Sequence, residues 1–205
     1  MKTFSIKEAF RVGWGLWKSN KKLLILSTLI IFAIDMVSFD DGGFFLWILE
    51  VILSILSMII GIGWLKMLLK IKDGQPTELH ELIEHAHLFW KYLGTTILLF
   101  LMVLGGLLLL VVPGIYFFLK YQFALMVMVD KGGSIKEAFK ESARITKGVK
   151  WKLLGFVFVS VGVVILGFLA LGVGVVVAVP VTMLASIHVY RTLSREVSEG
   201  VMATV

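Results

Sequence analysis

Six long apolar stretches separate this chain from water-soluble folds. Hydrophobic residues make up 59% of the 205 residues and charged residues 17%, against roughly 45–50% and about 25% in soluble domains. Helices are the simplest way for such stretches to satisfy their backbone hydrogen bonds in lipid. We predict an all-α polytopic membrane protein, one integral membrane domain over residues 1–205, with about six transmembrane helices near residues 23–39, 44–65, 92–112, 115–129, 153–171 and 173–190.

Positive charge is distributed unevenly between the loops that join these stretches. With six spans and both ends on one side, every lysine and arginine except Lys120 lies on that side, while the opposite loops hold only "DDGG", "PG" and a glycine-rich corner. Basic loops stay on the cytoplasmic side of a membrane. We therefore predict a multi-pass protein of the cell inner (cytoplasmic) membrane with both termini cytoplasmic. The net charge of +6 then requires no nucleic-acid partner.

The hexapeptide "SIKEAF" occurs twice, at residues 5–10 and 134–139. In each copy the serine and the glutamate three residues later form the pattern of a capping box, which begins a helix. The stretch "TELHELIEHAHLFWKYL", which starts with Thr77 as a possible cap, resembles a third copy in pattern only. Together they predict an internal repeat with units of approximately 1–65, 76–129 and 134–191, each an interfacial helix followed by a helical hairpin.

Basic and apolar residues alternate at helical spacing after each "SIKEAF" copy. Ile135, Ala138 and Phe139 fall on or near one face of the second helix, with basic residues on the other face. Such helices lie in the headgroup layer with their cations toward anionic lipid; the alternative is that they pack on the cytoplasmic ends of the bundle. We predict two or three amphipathic interfacial helices, with lipid-headgroup contacts from Lys7, Arg11, Lys18, Lys136, Lys140, Arg144 and Lys147.

Charged residues within the apolar stretches predict a polar cluster inside the membrane. Lys120 lies seven residues after Pro113, and Asp35 and Glu50 lie near the outer ends of the first and second spans. A charge at such depth is costly unless it is paired or hydrated. We predict that Lys120 pairs with Asp35 or Glu50, with Tyr121 and Gln122 close by.

The motifs of catalytic and metal sites do not occur in this sequence. It contains no cysteine, which excludes disulfide and thiol chemistry, and no nucleophile elbow or phosphate-binding loop. His80, Glu84 and His87, or Glu81 and His85, have spacings that could place metal ligands on adjacent turns. An exposed acidic helix explains them more simply. We expect no catalytic residue, no metal and no cofactor.

Residues 113–154 carry a family resemblance. Their sequence is "PGIYFFLKYQFALMVMVDKGGSIKEAFKESARITKGVKWKLL". The order is Pro-Gly at the head of a span, a basic residue within it, an acidic-glycine turn, the serine-capped helix, then Ser142, Thr-Lys-Gly and tryptophan. This order resembles the membrane domain that precedes the catalytic domain in some bacterial glycerophosphodiester phosphodiesterases, and the YciC-like bacterial inner-membrane proteins. The resemblance implies a similar six-span layout. The phosphodiesterase catalytic domain is absent from the sequence, so the activity of those enzymes is not carried over to this chain.

Two functions of different classes remain open. The first is a non-enzymatic membrane module that organises lipid or a partner protein at the cytoplasmic face through its basic helices. The second is a small transporter or channel, formed by one chain or by an oligomer, with a pathway past the intramembrane charges. The expected partners are membrane lipids, anionic ones above all, and a membrane protein or further copies of the chain. We expect no enzymatic activity, because the sequence lacks a catalytic constellation, and we favour the module because seven of the basic residues lie between 131 and 152.

Overall fold

The computed structural model describes residues 3–37, 44–170 and 172–202, and the regular structure in these ranges is entirely helical. A 3₁₀ turn at Ala86–Leu88 precedes the fifth helix. The α-helices are α1 Ile6–Ser19, α2 Lys21–Asp35, α3 Phe44–Lys72, α4 Glu81–Glu84, α5 Phe89–Leu109, α6 Val111–Tyr121, α7 Ala124–Lys131, α8 Ile135–Ile145, α9 Lys150–Leu169 and α10 Val175–Met202.

Five segments of the described chain are long and apolar enough to cross a membrane. They confirm a multi-pass membrane protein, because each is at least 20 residues long and about 20 residues span the hydrocarbon layer. The third joins α6 and α7 across the break at Gln122 and Phe123. The segments are Phe45–Lys72, Glu81–Leu109, Val111–Lys131, Lys150–Leu169 and Val175–Glu199.

The predicted first span at residues 23–39 is not among these five segments. Helix α2 has 15 residues, which is about 22 Å at 1.5 Å per residue and shorter than a hydrocarbon layer of about 30 Å. Residues 38–43, which the prediction includes in part, lie outside the described ranges. The sixth span therefore stays a prediction.

Both "SIKEAF" copies begin a helix. At α8 the capping box is complete: the Ser134 hydroxyl accepts from the Glu137 amide at 3.3 Å, and the Glu137 carboxylate accepts from the Ser134 amide at 2.8 Å. At α1 the Ser5 hydroxyl accepts from the Glu8 amide at 3.3 Å. Each helix ends before the next one begins, at Ser19 and Ile145. The correspondence of the two repeat units beyond these starts stays a prediction.

The predicted third copy of this helix, from Thr77, is wrong in its extent. Helix α4 begins at Glu81 and ends at Glu84, and residue 85 interrupts it. The reason is its close approach to α3: a Cβ on Gly63 would lie 2.4 Å from the carbonyl oxygens of Glu81 and Leu82. The Glu81 carboxylate also pairs with Lys70 of α3. Tertiary contacts thus hold this segment as one short turn against α3.

Burial divides the helical bundle into two unlike halves. The core residues cluster where α3 ends, where α9 begins, along α7 and toward the end of α10, and they include Leu68, Met128 and Ile187. We call this half, which also contains the Lys70 and Arg191 ion pairs, the basic end. The other half exposes large apolar side chains, such as Leu108 at 80% and Phe168 at 70%. Exposure of this kind suits hydrocarbon rather than water.

Glycines allow backbones to approach where helices cross. A Cβ on Gly13 of α1 would lie 2.7 Å from the carbonyl oxygen of Val181 on α10, and one on Gly106 of α5 would lie 2.8 Å from Cα of Gly114 on α6. Small residues at such crossings are typical of membrane helix packing. They hold α1 on α10 and close the hairpin of α5 and α6.

Replacing Gly63 with alanine tests the α3–α4 contact. The added methyl group meets backbone atoms that have to move, so we expect Gly63→Ala to lower the free energy of unfolding by about 1–3 kcal/mol. Gly61→Ala, two residues earlier, is the matched control, because a Cβ there meets nothing within 4 Å; it should be neutral or stabilise by up to about 1 kcal/mol. Thermal unfolding of both variants in the same detergent measures the difference. Equal melting temperatures would contradict the packing described.

Candidate functional site

The seven predicted headgroup contacts all have exposed side chains. Their helices bury the opposite face: Ala9 and Gly13 on α1, and Ala138, Phe139 and Ile145 on α8. We call the two exposed sets the basic faces of α1 and α8. Lys147, which follows the end of α8, is counted with the basic face of α8. The basic face of α1 comprises Lys7, Arg11 and Lys18, and that of α8 comprises Lys136, Lys140, Arg144 and Lys147.

Most of these cations have no acidic partner. Among the ion pairs of the described residues, Arg144 binds Glu141 at 2.9 Å, and the other six residues of the two faces take part in none. The amine of Lys18 lies 5.3 Å from the ring centroid of Trp14, which stacks on Trp17. Tryptophan beside lysine is the arrangement found at membrane interfaces. The two faces therefore present charge that an external anion can compensate.

A cavity of about 430 Å³ lies between α7 and α8. On its wall Glu141 binds Lys131 at 3.0 Å as well as Arg144. Burial raises the pKa of Glu141, but hydrogen bonds from Arg144 and Lys131 outweigh it and hold this pKa below its ordinary value. The Ser134 amide lowers the pKa of Glu137. Both carboxylates therefore stabilise the fold above their ordinary pKa, and this contribution is lost as the pH falls through the lowered values.

Arg191 makes the most extensive charged contact of the described residues. Its guanidinium donates to both carboxylate oxygens of Asp130, at 2.6 and 2.8 Å, and to both of Asp73, at 3.0 and 2.5 Å. The Tyr190 hydroxyl donates to Asp130 at 2.8 Å. Bidentate pairs of this kind are strong and directional. They join the end of α3, the end of α7 and α10 at the basic end.

Sequence reasoning missed this cluster. Each charged member follows an apolar stretch of the sequence, where a lone charge is ordinary. The bonded partners are separated by 60 residues or more along the chain: Tyr190 and Asp130 by 60, and Arg191 from Asp130 and Asp73 by 61 and 118. The available signal was that Asp73 and Asp130 are acidic residues on the side of the membrane where nearly all the lysines and arginines lie. That signal indicates on which side of the membrane the two carboxylates lie, but it does not identify Arg191 as their partner.

The predicted intramembrane cluster falls into two places. Asp35 accepts a hydrogen bond from Ser57 at 2.5 Å, and Asp35 and Glu50 line one cavity of about 230 Å³ between α2 and α3. Lys120 lies elsewhere, with its amine 4.9 Å from the ring centroid of Tyr121. The Gln122 amide donates to the Leu119 carbonyl at 3.2 Å. The structure thus places the two carboxylates on one cavity and Lys120 beside Tyr121. Among the described residues Lys120 takes part in no ion pair, so its predicted pairing with Asp35 or Glu50 is not seen.

The sequence did not predict that Lys120 lies beside α8. The Lys120 carbonyl accepts hydrogen bonds from Ser142 at 3.1 Å and Thr146 at 3.0 Å. Both donors belong to α8 or its cap. Lys120 is therefore level with α8, the helix whose basic face was assigned to the headgroup layer.

Glu81 and His85, the second of the two possible metal-ligand sets, lie together with Glu84 of the first set. Ligand atoms of Glu81, Glu84 and His85 lie within 4.8 Å of one another. The Lys70 amine binds the same Glu81 carboxylate, and its positive charge opposes a cation there. In the first set, the His80 imidazole lies 3.3 Å from the Glu84 carboxylate. Both contacts are ordinary for charged residues beside a membrane surface.

A family model described as the membrane domain of glycerophosphoryl diester phosphodiesterase matches residues 87–190. The matched range runs from the start of α5 to Tyr190 and contains the basic face of α8 and Lys120. The basic face of α1 lies before it. Neither a curated protein nor a solved structure matches the chain.

Replacing Arg191 tests whether the ion pairs hold the basic end together. Arg191→Gln leaves two carboxylates facing each other, and we expect a loss of about 1–3 kcal/mol in the free energy of unfolding, less than for a fully buried pair because the arginine side chain is 22% exposed. Arg195→Gln, one turn later on an exposed position, should change it by less than about 0.5 kcal/mol.

Adding Asp130→Asn to Arg191→Gln removes one of the unpaired charges. This double variant should lose less than the sum of the two single losses, because the residues share one interaction. Thermal or denaturant unfolding in detergent measures the free energy of unfolding of the unaltered chain, the two single variants Arg191→Gln and Asp130→Asn, and the double variant. Additive losses would show that Arg191 and Asp130 stabilise the fold independently.

Proposed function

Because the chain belongs to the family of membrane domains of glycerophosphoryl diester phosphodiesterase, we propose that it is a non-enzymatic integral membrane module that organises lipid or a partner protein at the cytoplasmic face. Lipid is the better supported of the two. The proposal rests on the basic faces of α1 and α8 and not on a catalytic arrangement.

The observation that carries this proposal is the set of six exposed cations without an ion-pair partner among the described residues. They lie opposite the buried sides of α1 and α8, so the fold does not use their charge internally. Each lysine or arginine near an anionic membrane surface contributes about 1 kcal/mol of attraction. Several together favour phosphatidylglycerol-like lipids over zwitterionic ones.

The proposed orientation places the basic end in the cytoplasmic headgroup layer. The positive-inside rule supports it, as does the contrast between the charged, packed basic end and the apolar exposure of the opposite half. In this orientation α1 and α8 lie where the anionic lipid of an inner membrane would meet them. Both termini are then cytoplasmic.

A small transporter or channel is the second candidate, and one feature favours it. Asp35, Glu50, Ser54 and Ser57 line the cavity between α2 and α3, within otherwise apolar helices. Ionisable residues inside a membrane often mark ion pathways. In this function several chains would assemble so that the cavity borders a polar axis.

Native mass spectrometry of the full chain in mild detergent tests the first proposal through the lipid that stays bound. The same spectrum gives the number of chains in the complex, which bears on the transporter or channel. We expect retained phosphatidylglycerol in preference to phosphatidylcholine, and at least about tenfold weaker retention when the six unpaired cations are changed to glutamine. The matched control carries Arg for Lys and Lys for Arg at the same six positions, which keeps the charge. It should retain lipid like the unaltered chain.

Two results would decide against the module. Equal retention by the glutamine variant and the control would show that the basic faces do not select lipid. A single oligomeric ring that retains no anionic lipid would favour the transporter or channel.

A further inference from the structure

A groove of about 240 Å³ lies between α6 and α9, on a part of the surface that the basic faces do not include. One wall is a single face of α6, where the lining residues recur every three or four positions and form an apolar stripe. The other wall is the start of α9. Its lining is apolar apart from Lys150 and the Tyr116 hydroxyl. The lining residues are Val112, Ile115, Tyr116, Leu119, Lys150, Trp151 and Leu154.

Lys150 lines one end of this α6–α9 groove, and Lys120 lies one helical turn after Tyr116 on α6. The Lys150 amine lies 3.7 Å from the ring centroid of Tyr116. Neither lysine forms an ion pair with an acidic residue in the described ranges, and no acidic residue lines the groove. Aromatic rings offset only part of the cost of such charges. The two lysines therefore carry positive charge that an external anion can compensate.

The groove is charged at one end and apolar at the other. Lys150 begins α9, and Trp151 beside it is 86% exposed, as expected for a tryptophan at the membrane interface. From Leu119 the stripe runs back along α6 to Val112, about 10 Å at 1.5 Å per residue, and Val112 is 76% exposed. A charged end and an apolar end at this separation match an amphiphile, whereas a free phosphate has no use for the apolar walls.

We propose that the α6–α9 groove binds one membrane phospholipid with an anionic headgroup, its phosphate between Lys120 and Lys150 and one acyl chain along Val112 and Ile115. The site rests on the proposed function and deepens it, since it adds a single specific lipid to the layer attracted by the basic faces. Charge complementarity selects the headgroup, and the apolar stripe selects a lipid over a soluble phosphate.

Titration of the full chain with phosphatidylglycerol, followed by native mass spectrometry at high ionic strength, tests this site. Salt screens the exposed faces more than the half-buried amines, so we expect one lipid per chain to remain. Lys120→Gln with Lys150→Gln should weaken its binding by about tenfold or more. The matched control is Lys136→Gln with Lys140→Gln, which removes the same charge from the basic face of α8 and should leave this one lipid bound.

Several results would overturn the site. They are unchanged affinity in the Lys120 and Lys150 double variant, equal binding of phosphatidylcholine, and displacement of the lipid by inorganic phosphate at a similar concentration. A co-purifying protein that occupies the groove in place of lipid would also do so. Replacing both lysines with arginine should preserve binding, and the melting temperature of each variant shows whether it is folded.

The outcomes separate this site from the general function. If the glutamine variant of the six exposed cations loses its lipid layer while the double variant of Lys120 and Lys150 binds normally, the module stands and the groove is wrong. If the groove lipid is lost only in the double variant and the six cations have no effect, the specific site stands and lipid organisation by the basic faces is wrong.

Discussion

The pairing of Arg191 with Asp73 and Asp130 is the interaction on which the basic end depends. It joins three helices that are remote in sequence, and Lys66 reinforces it by donating to the carbonyls of Val129 and Asp130, each at 3.3 Å. These cations lie at the carboxyl end of α7, where the helix dipole favours positive charge. Because α1 packs on α10 and α8 packs on α7, the same contacts fix where both basic faces lie.

The two halves of the bundle meet different surroundings for physical reasons. At the basic end, Lys70 and Arg191 are paired with acidic residues, and apolar side chains pack on one another around residues such as Leu184 and Tyr190. In the opposite half the helices leave their apolar surface open, which hydrocarbon tolerates and water does not. The ion pairs of Lys70, Glu141 and Arg191 therefore lie on this one side, and the proposed lipid functions concentrate there.

The sequence predicted the membrane class, the helical fold and the starts of α1 and α8, because hydropathy and the Ser-x-x-Glu pattern are local signals. It did not predict the shortening of α4, since Gly63 and Lys70 act on that segment from another helix. The contacts of Lys120 with α8 were missed for a similar reason, because Ser142 and Thr146 lie 22 and 26 residues further along the chain. The Arg191 cluster depends on long-range partners, which periodicity does not identify.

Lipid selectivity in a bilayer tests the central claim most directly. Electron spin resonance of spin-labelled phosphatidylglycerol and phosphatidylcholine, with the full chain in bilayers, measures how strongly each lipid associates with the protein. The account predicts that phosphatidylglycerol is preferred at low ionic strength and that most of this preference disappears at about 1 M salt, where the screening length falls to about 3 Å. Equal association of both lipids at low ionic strength would contradict it.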